Sequence, residues 1–339
     1  MNQTAIVIPN LNGVDSLGKC LDSLLPQCNK IIVVENGSVD NSKDFIRTRY
    51  PQVDLIVNKT NLGFAGGVNC GIKKAIKEGF LYVALFNNDA VAEKNWLGSL
   101  IKELDNNPRV GIATCKLLSS DKKSIDSTGD QYTNWGLPYP RGRGEPTSNK
   151  YDKDTTIFAA SGGASIYRIS MLTEIGLFDE DFFAYYEDVD ISFRAQLAGW
   201  KVHYVPKALA YHQIGATSSK IKGFTTYQTM KNLPLLWYKN VPNKYFFSVG
   251  LRLLFAQSLF LIKAITRKNG RHALKGSLFA GILIIKKRGL RRDIQTNKKV
   301  SDEYIWQQIT HNLPPNSKSL RYIVEKWSKI KRNYGKNNN

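Results

Sequence analysis

Between Gly176 and Trp200 the sequence GLFDEDFFAYYEDVDISFRAQLAGW sets five carboxylates, Asp179, Glu180, Asp181, Glu187 and Asp188, around a run of aromatics, with Asp190 just beyond. Carboxylates among rings are costly to desolvate unless they do chemistry or bind cations. From Asp188 onward the apolar residues Val189, Phe193 and Leu197 recur every four positions and Gly199 follows, which predicts a helix with Glu187, Asp188 and Asp190 near its N-terminus. That end of a helix favours ionised carboxylates.

A second acidic position, Asp89, closes the triplet Asn87-Asn88-Asp89 directly after the apolar run Leu81–Phe86. A carboxylate there suits Mg²⁺ or Mn²⁺, which prefer oxygen ligands and share them with substrate phosphates. Taken alone, the triplet is also a common turn after a strand. Residues 61–71, NLGFAGGVNCG, form a Gly-rich loop entering a helix. It lacks the lysine of a P-loop and the spacing of a dinucleotide fold, so anion cradle and tight packing both remain open.

Four strand-like runs, Thr4–Ile8, Ile31–Glu35, Asp54–Val57 and Phe80–Phe86, alternate with helical stretches. This βαβ progression predicts a mostly parallel α/β sheet, in which ligands gather at the carboxyl ends of the strands. Asn10 and Asn12, Glu35 to Ser38, Asn58 to Gly67 and Asn87 to Asp89 follow the four runs in turn. Ser119 to Asp154 is polar and Gly/Pro-rich and reads as an irregular, mobile loop over a site. Phe158 to Tyr167 reads as a further strand whose Ser161-Gly162-Gly163-Ala164 segment admits close approach.

The charge is unevenly distributed: residues 1–200 hold 21 Lys/Arg against 24 Asp/Glu, whereas 201–339 hold 27 against 4. Two apolar runs, Leu253–Ile262 and Gly276–Ile285, are fringed by Arg252, Lys263, Arg267, Lys268, Arg271, Lys275, Lys286 and Lys287. Neither run reaches the ~20 residues needed to span a bilayer, which predicts helices lying on an anionic membrane surface rather than crossing it. The competing reading is a buried helical hairpin. Nucleic-acid binding is disfavoured, because the basic residues fringe apolar runs and the acidic first half would repel a polyanion. Cys20, Cys28, Cys70 and Cys115 show no metal-ligand spacing and no secretory signal pattern precedes them, which predicts structural thiols in a reducing cytoplasmic compartment. The expected organisation is a domain over 1–240, a basic helical region over 241–330 and a disordered tail over 331–339.

Taken together, VVENGSVDNS (33–42), NLGFAGGVNCGI (61–72), LFNNDA (85–90), the Gly176–Trp200 block and HQIGATS (212–218) closely resemble family 2 glycosyltransferases, particularly the bacterial rhamnosyltransferase-like branch, over about residues 3 to 240. The resemblance implies a GT-A fold with a helical, basic C-terminal extension, a nucleotide-sugar donor, Mg²⁺ or Mn²⁺, and inversion at the anomeric carbon. It puts Glu35 and Asn36 at the base-recognising position and Pro9, Asn10 and Asn12 in the turn lining the nucleotide. Gly63, Gly66, Asn69, Asn88 and Gly163 join them in the donor site. Asn87-Asn88-Asp89 stands for the family's DxD motif, departing from it by an Asn where the first Asp often stands, and Asp89 is the expected metal ligand. Asp188 matches the catalytic base, and His212 a histidine that joins the metal or the diphosphate. Glu187, Phe183 and Trp200 fall to the acceptor pocket or its support. The donor implied is dTDP-rhamnose, with a UDP-linked galactose, glucose or N-acetylglucosamine as the alternative. The acceptor implied is a saccharide, free or polyprenyl-diphosphate-linked, in cell-surface polysaccharide synthesis on the inner face of the cytoplasmic membrane. A nucleotidyltransferase would want a basic phosphate clamp near the N-terminus, and Asn10 to Gly18 hold no Lys or Arg.

Overall fold

Nearly continuous apolar runs form the first strands because both faces of the sheet they build are covered by helices. The computed structural model describes residues 3–212, 221–315, 317 and 320–321. Strands β1 (Thr4–Asn10), β2 (Ile31–Asn36), β3 (Asp54–Asn58) and β4 (Tyr82–Phe86) are parallel in the order β4-β1-β2-β3. Helices α1 (Val14–Leu24), α2 (Ser42–Arg49) and α3 (Gly63–Lys77) connect them.

Beyond β4 come β5 (Ala90–Ala92), α4 (Trp96–Asn106), β6 (Val110–Ser119), β7 (Ile125–Ser127), β8 (Asp130–Tyr132), β9 (Pro138–Pro140) and β10 (Thr155–Thr156). They are followed by β11 (Ala164–Arg168), α5 (Ile169–Ile175), α6 (Glu187–Leu197) and β12 (Lys201–His212). The sheet becomes mixed here: β11 runs antiparallel between β4 and β6, while β12 is parallel to β6 and antiparallel to β5. The last pairing sets His212 opposite Ala90, beside Asp89.

The remaining chain is helical: α7 (Phe224–Asn240), α8 (Phe246–Thr266), α9 (Gly270–Lys286), α10 (Arg288–Thr296) and α11 (Asp302–Gln308). One buried layer joins Leu17, Leu21, Trp96 and Leu100 to the sheet, and a second joins Val68, Ile72, Met171 and Ile191 to its other side. A third cluster packs Tyr132, Phe158, Phe182 and Phe193 against Leu235, Leu236 and Ile305, so the C-terminal helices share a core with the acidic block.

Three expectations are corrected. The segment 119–154 holds regular pairing, β7 on β6 and β8 on β9, because short strands between tight turns leave a turn-rich composition. The strand expected from Phe158 begins only at Ala164, since the Gly162 N–H is drawn to Asp188 at 2.9 Å instead of to a neighbouring strand. The 24-residue stretch Asn243–Thr266, which contains an 18-residue window of mean hydropathy 1.6, is long and apolar enough to cross a membrane. Counting uncharged runs stopped at Arg252 and Lys263, whereas the helix continues through both. The tail over 331–339 and most of the HQIGATS motif lie outside the described residues.

Candidate active site

The carboxyl ends of β1, β2 and β4 meet through side-chain amides. Asn10 donates from Nδ2 to Glu35 at 2.7 Å, and Asn88 Nδ2 donates to Asn10 Oδ1 at 2.6 Å. Asn12, in the left-handed region at φ 51°, accepts at Oδ1 from the Val39 N–H at 2.8 Å, tying the turn after β1 to the one after β2. Glu35 is buried and also accepts from the Ser38 N–H at 3.1 Å. Pro9 is partly buried at the end of β1, on the face covered by Gly67 of α3. These residues form one rigid floor at the strand ends.

Asn36 and Asn69 are fully engaged within the protein. Asn36 Nδ2 donates to Asn61 Oδ1 at 3.2 Å and to the Gly63 carbonyl at 2.9 Å, while its Oδ1 accepts from Asn58 and from the Leu62 N–H, each at 3.1 Å. Asn69 donates to the Phe178 carbonyl and to Glu180, each at 2.9 Å, and accepts from the Phe178 N–H at 3.1 Å. Their amides pin the Gly-rich loop and the acidic block, and no polar atom of Asn36 is left over for a base. Gly63 and Gly66 serve close packing: a Cβ on Gly63, at φ 72°, would lie 2.3 Å from the Phe183 carbonyl oxygen, and one on Gly66 would lie 2.7 Å from Leu62 Cβ.

At the end of β12, His212 turns Nε2 to Asp89 Oδ1 at 3.1 Å and Nδ1 to Asp126 Oδ2 at 2.7 Å. Asn87 Nδ2 lies 3.2 Å from the same Nε2. Arg143 Nη2 pairs with Asp126 at 2.7 Å. Burial alone would lower the His212 value, but hydrogen bonds and charge from Asp126 and Asp89 overcome it and raise the imidazolium to about 9. Among the described residues no three His, Cys, Asp or Glu side chains form a closed cage. A cation that displaced the Nε2 proton would find an Asp89 oxygen facing an imidazole nitrogen, a donor pair that suits a divalent metal taking its other oxygens from a diphosphate, with Asp126 orienting the ring from behind. The donor set fits Mg²⁺ or Mn²⁺.

Asp188 opens α6 and lies next to this pair through two glycines. The Gly162 N–H donates to Asp188 Oδ2 at 2.9 Å, and the Gly163 carbonyl accepts from the Asn87 N–H at 2.9 Å. A Cβ on Gly162 would lie 3.3 Å from both Asp188 Cβ and the Phe64 ring, and one on Gly163 3.1 Å from Asn87 Nδ2. A side chain at either position would require its neighbours to give by a few tenths of an ångström, so the glycines ease the approach of the two acidic motifs. Burial raises the Asp188 carboxyl above the usual range, held back by the Gly162 N–H. Asp130, partly buried nearby, is pushed up to about 8 by burial and then by the Asp188 charge, against Arg143. Glu187 is buried beneath Asp188 with Oε2 unpartnered, and burial followed by the Asp188 charge raises it well above an ordinary glutamic acid.

The backbone just ahead of Asp188 is strained. Phe183, Tyr185 and Tyr186 have φ of 63°, 71° and 72°, a region costing non-glycine residues roughly 1–2 kcal/mol each. Asn232 of α7 holds the turn, its Nδ2 lying 3.0, 2.9 and 2.8 Å from the Phe182, Ala184 and Tyr185 carbonyls.

Residues 5–176 match the model of Glycosyl transferase family 2. The chain belongs to this family. Over 204 residues it is 26% identical to the N-acetylglucosaminyl-diphospho-decaprenol L-rhamnosyltransferase of Mycobacterium tuberculosis, covering 54% of this chain and 66% of that one. Over 208 residues it is 27% identical to the poly-beta-1,6-N-acetyl-D-glucosamine synthase of Staphylococcus epidermidis, covering 60% of this chain and 47% of that one. The chain thus spans less than two thirds of these relatives' lengths. In structure, the mannosyltransferase PcManGT from Pyrobaculum calidifontis, solved with GDP-Man and Mn²⁺, matches 90% of this chain and 85% of its own at TM-score 0.53 and 15% identity. Residues 1–349 of TarS from S. aureus match 90% of this chain and 91% of their own, again at TM-score 0.53 and 15% identity. The fold is GT-A, as the family resemblance implies.

Not every carboxylate of the family 2 acidic block faces the cleft. Asp179 pairs with Lys239 at 2.5 Å and with Lys287 at 2.7 Å, and Asp181 with Lys287 at 2.8 Å and Lys286 at 3.1 Å. Asp190, fully buried, holds Lys239 at 2.9 Å and Arg194 at 3.0 Å. The cations these carboxylates bind are lysines and an arginine of the chain itself. Trp200 precedes β12 at the end away from His212, with Nε1 on Glu174 at 3.0 Å, and packs on the core beside α5, so it lines no part of this cleft. Phe183 stays near the site, its carbonyl accepting from the Ala65 N–H at 3.2 Å. Asp126 and Asp130 went unremarked in the sequence, since carboxylates in a turn-rich stretch default to solvent.

Proposed function

We propose that the chain is an inverting glycosyltransferase, moving a sugar from a nucleotide-diphosphate sugar to a hydroxyl of a saccharide acceptor. The observation that carries this reading is the closeness of Asp188 to the Asp89–His212 pair across Gly162-Gly163. A sugar hydroxyl is a weak acid and needs a base within hydrogen-bond reach. Asp188 supplies that base: its raised carboxyl holds a proton more strongly than an exposed aspartate, and the Gly162 and Val189 N–H groups each hold one of its oxygens, leaving a second lone pair on each for the acceptor hydroxyl. One displacement from the face opposite the leaving group inverts the anomeric centre without a second nucleophile. A divalent cation held by Asp89 and His212 would offset the charge that develops on the departing diphosphate. Asn10, Glu35 and Asn88 shape the nucleotide floor, and Glu187 supports the base from below.

The rhamnosyltransferase name of the mycobacterial relative supports dTDP-rhamnose as donor and a polyprenyl-diphosphate-linked saccharide as acceptor. The uncovered apolar faces of α8 and α9, with Phe247, Leu251, Leu254 and Leu278 at least 65% exposed, support docking to an anionic membrane surface from the cytoplasmic side. The test is a panel of nucleotide sugars with Mn²⁺ or Mg²⁺, reading nucleoside diphosphate release with and without saccharide acceptors. Metal-dependent release from one donor, abolished in Asp188→Asn while donor binding persists, is the expected result. Turnover of Asp188→Asn near wild type overturns the assignment.

A further inference from the structure

The chain between β7 and β8 reads Asp126-Ser127-Thr128-Gly129-Asp130 and sets a carboxylate at each end. The first is satisfied by His212 and by Arg143, each at 2.7 Å. The second is not. Arg143, whose charge acts on Asp130, commits Nε to the Asp126 carbonyl at 3.0 Å and Nη2 to the Asp126 carboxylate. Among the described residues no side chain or N–H donates to the Asp130 carboxyl. Its backbone is nonetheless fixed. The Asp130 N–H and carbonyl pair with Ala159 at 2.6 and 2.9 Å. Thr128 donates from N–H and Oγ1 to the Arg141 carbonyl, both at 3.1 Å, and Gly129 stands at φ 90°, where a Cβ would meet Ile157 Cδ1 at 2.1 Å. Three residues beyond Ala159 the Gly162 N–H holds Asp188, and on the way the Ala160 N–H is held by Ser192 of α6 at 3.2 Å. One short stretch of backbone therefore positions both aspartates.

Rings surround the pair. Phe64 lies against Gly162 and Phe183 against Gly63. Burial raises the Tyr186 phenol above its ordinary value, and the charges of Asp188 and Asp130 add to that, so both carboxylates act at its hydroxyl. Phe64, Phe183 and Tyr186, like the two aspartates, keep part of their surface open. Behind them Tyr167 is fully buried with its hydroxyl unpartnered, raised by burial and then by the charges of Asp188, Glu187 and Asp130. Buried polar groups nearly always find partners. A carboxyl that the protein leaves without a donor, set among half-open rings, suits a ligand that has hydroxyls on its edge and an apolar C–H face: a saccharide. Burial and the Asp188 charge push Asp130 up to about 8, so at neutral pH it both gives and accepts a hydrogen bond and sets no second negative charge beside the base.

We infer that Asp130 binds and selects the acceptor sugar, its carboxyl exchanging hydrogen bonds with a hydroxyl neighbouring the one that Asp188 deprotonates, while the C–H face of the sugar lies on the open side of the rings around the base. The inference rests on the reading of the chain as a transferase to a saccharide and names the residue that chooses among acceptors. A polar group built to meet a hydroxyl rejects a sugar that lacks it, so Asp130 discriminates between sugars that differ at one carbon.

The test reads binding and needs no glycosyl transfer. The full chain, loaded with Mn²⁺ and either UDP or dTDP, is titrated by saturation-transfer NMR with methyl glycosides of glucose, galactose, N-acetylglucosamine and rhamnose, and with the deoxy analogues of the one that binds best. Asp130→Ala should weaken that glycoside by about tenfold, the scale of one buried hydrogen bond to a ligand, while nucleotide affinity stays within roughly threefold. One deoxy glycoside should bind the wild type more weakly than its parent does, yet bind Asp130→Ala no more weakly, because both changes remove the same hydrogen bond. Asp130→Asn, which restores a hydrogen-bonding group of the same shape, should regain part of the affinity. No protein donor relies on the carboxyl, so Asp130→Ala should fold, and its nucleotide binding checks this. Additive losses for every deoxy glycoside, an equal loss of nucleotide affinity, or no glycoside binding by the wild type overturns the inference. A wild-type chain that passes the saccharide test yet releases no nucleotide from any donor sinks the transferase reading and leaves the Asp130 subsite standing.

Discussion

Asp188 and Asp130 are neighbouring, partly buried carboxylates, and their substitution separates chemistry from electrostatics. Asp188→Asn should lower the transfer rate by about 10²–10⁴-fold, the usual worth of a positioned base, while donor affinity stays within roughly threefold; rate and nucleotide binding measured on one preparation decide it. Asp130→Asn addresses pH. Because the folded-state value is raised from 3.8 to about 8, wild-type stability linked to this group is fully present below pH 3.8 and is lost as pH rises toward 8. Asp130→Asn should therefore gain melting temperature relative to wild type at pH 8.5 and little at pH 4, and a difference independent of pH would contradict the assignment. Of this site, Asp89, Asp188 and His212 were legible in the sequence because each closes a recognisable motif at a strand or helix end. The close approach at Gly162-Gly163 was legible too, whereas Asp126 and Asp130 were not, since their proximity comes from β7 pairing with β6 and β8 with β9 in a segment whose composition reads only as turns.

At the scale of elements, the alternation of strands and helices over the first half was readable from residue type, and the parallel order β4-β1-β2-β3 follows from it. What the pattern could not say is that α7 inserts Lys239 between Asp179 and Asp190, because ion partners sixty and forty-nine residues away leave no local signature. Asp179 and Asp190 are both held below the ordinary aspartate range, with Lys239 and either Lys287 or Arg194 outweighing burial. Removing the fully buried cation leaves two carboxylates short of a partner, so Lys239→Met should cost about 3–5 kcal/mol in urea unfolding. A loss below ~1 kcal/mol would mean that Lys287 and Arg194 hold the block unaided. Gly63→Ala is a second probe: its Cβ would sit 2.3 Å from the Phe183 oxygen at φ 72°, and activity should fall together with stability.

For the molecule as a whole, the asymmetry of charge resolves into two uses. Lys231, Lys239, Lys287 and Arg291 face inward, to carbonyls and carboxylates of the acidic block and of α7, and the exposed Lys286 reaches Asp181 from outside. Lys263, Arg267, Lys268, Arg271 and Lys275 stay outside, beside the uncovered apolar face. Leu251→Glu/Leu278→Glu changes side chains that are 69% and 66% exposed, so folding should be unaffected. Co-sedimentation with anionic vesicles should drop by about tenfold or more, since each leucine buried in lipid is worth roughly 1.5–3 kcal/mol. Unchanged sedimentation would remove membrane docking from the reading.

The three left-handed aromatics ahead of Glu187 carry one more implication. Their conformation persists because Asn232, some fifty residues downstream, grips the carbonyls of Phe182, Ala184 and Tyr185. A chain carrying Asn232→Ala would retain every donor-side residue and the aspartate itself, yet the turn would keep its unfavourable shape only through Lys231 on the Phe182 carbonyl and the Ala65 N–H on the Phe183 carbonyl. Such a variant should hold a nucleotide as the parent chain does and transfer sugar more slowly, because a side chain that contributes no atom to the reaction steadies the turn.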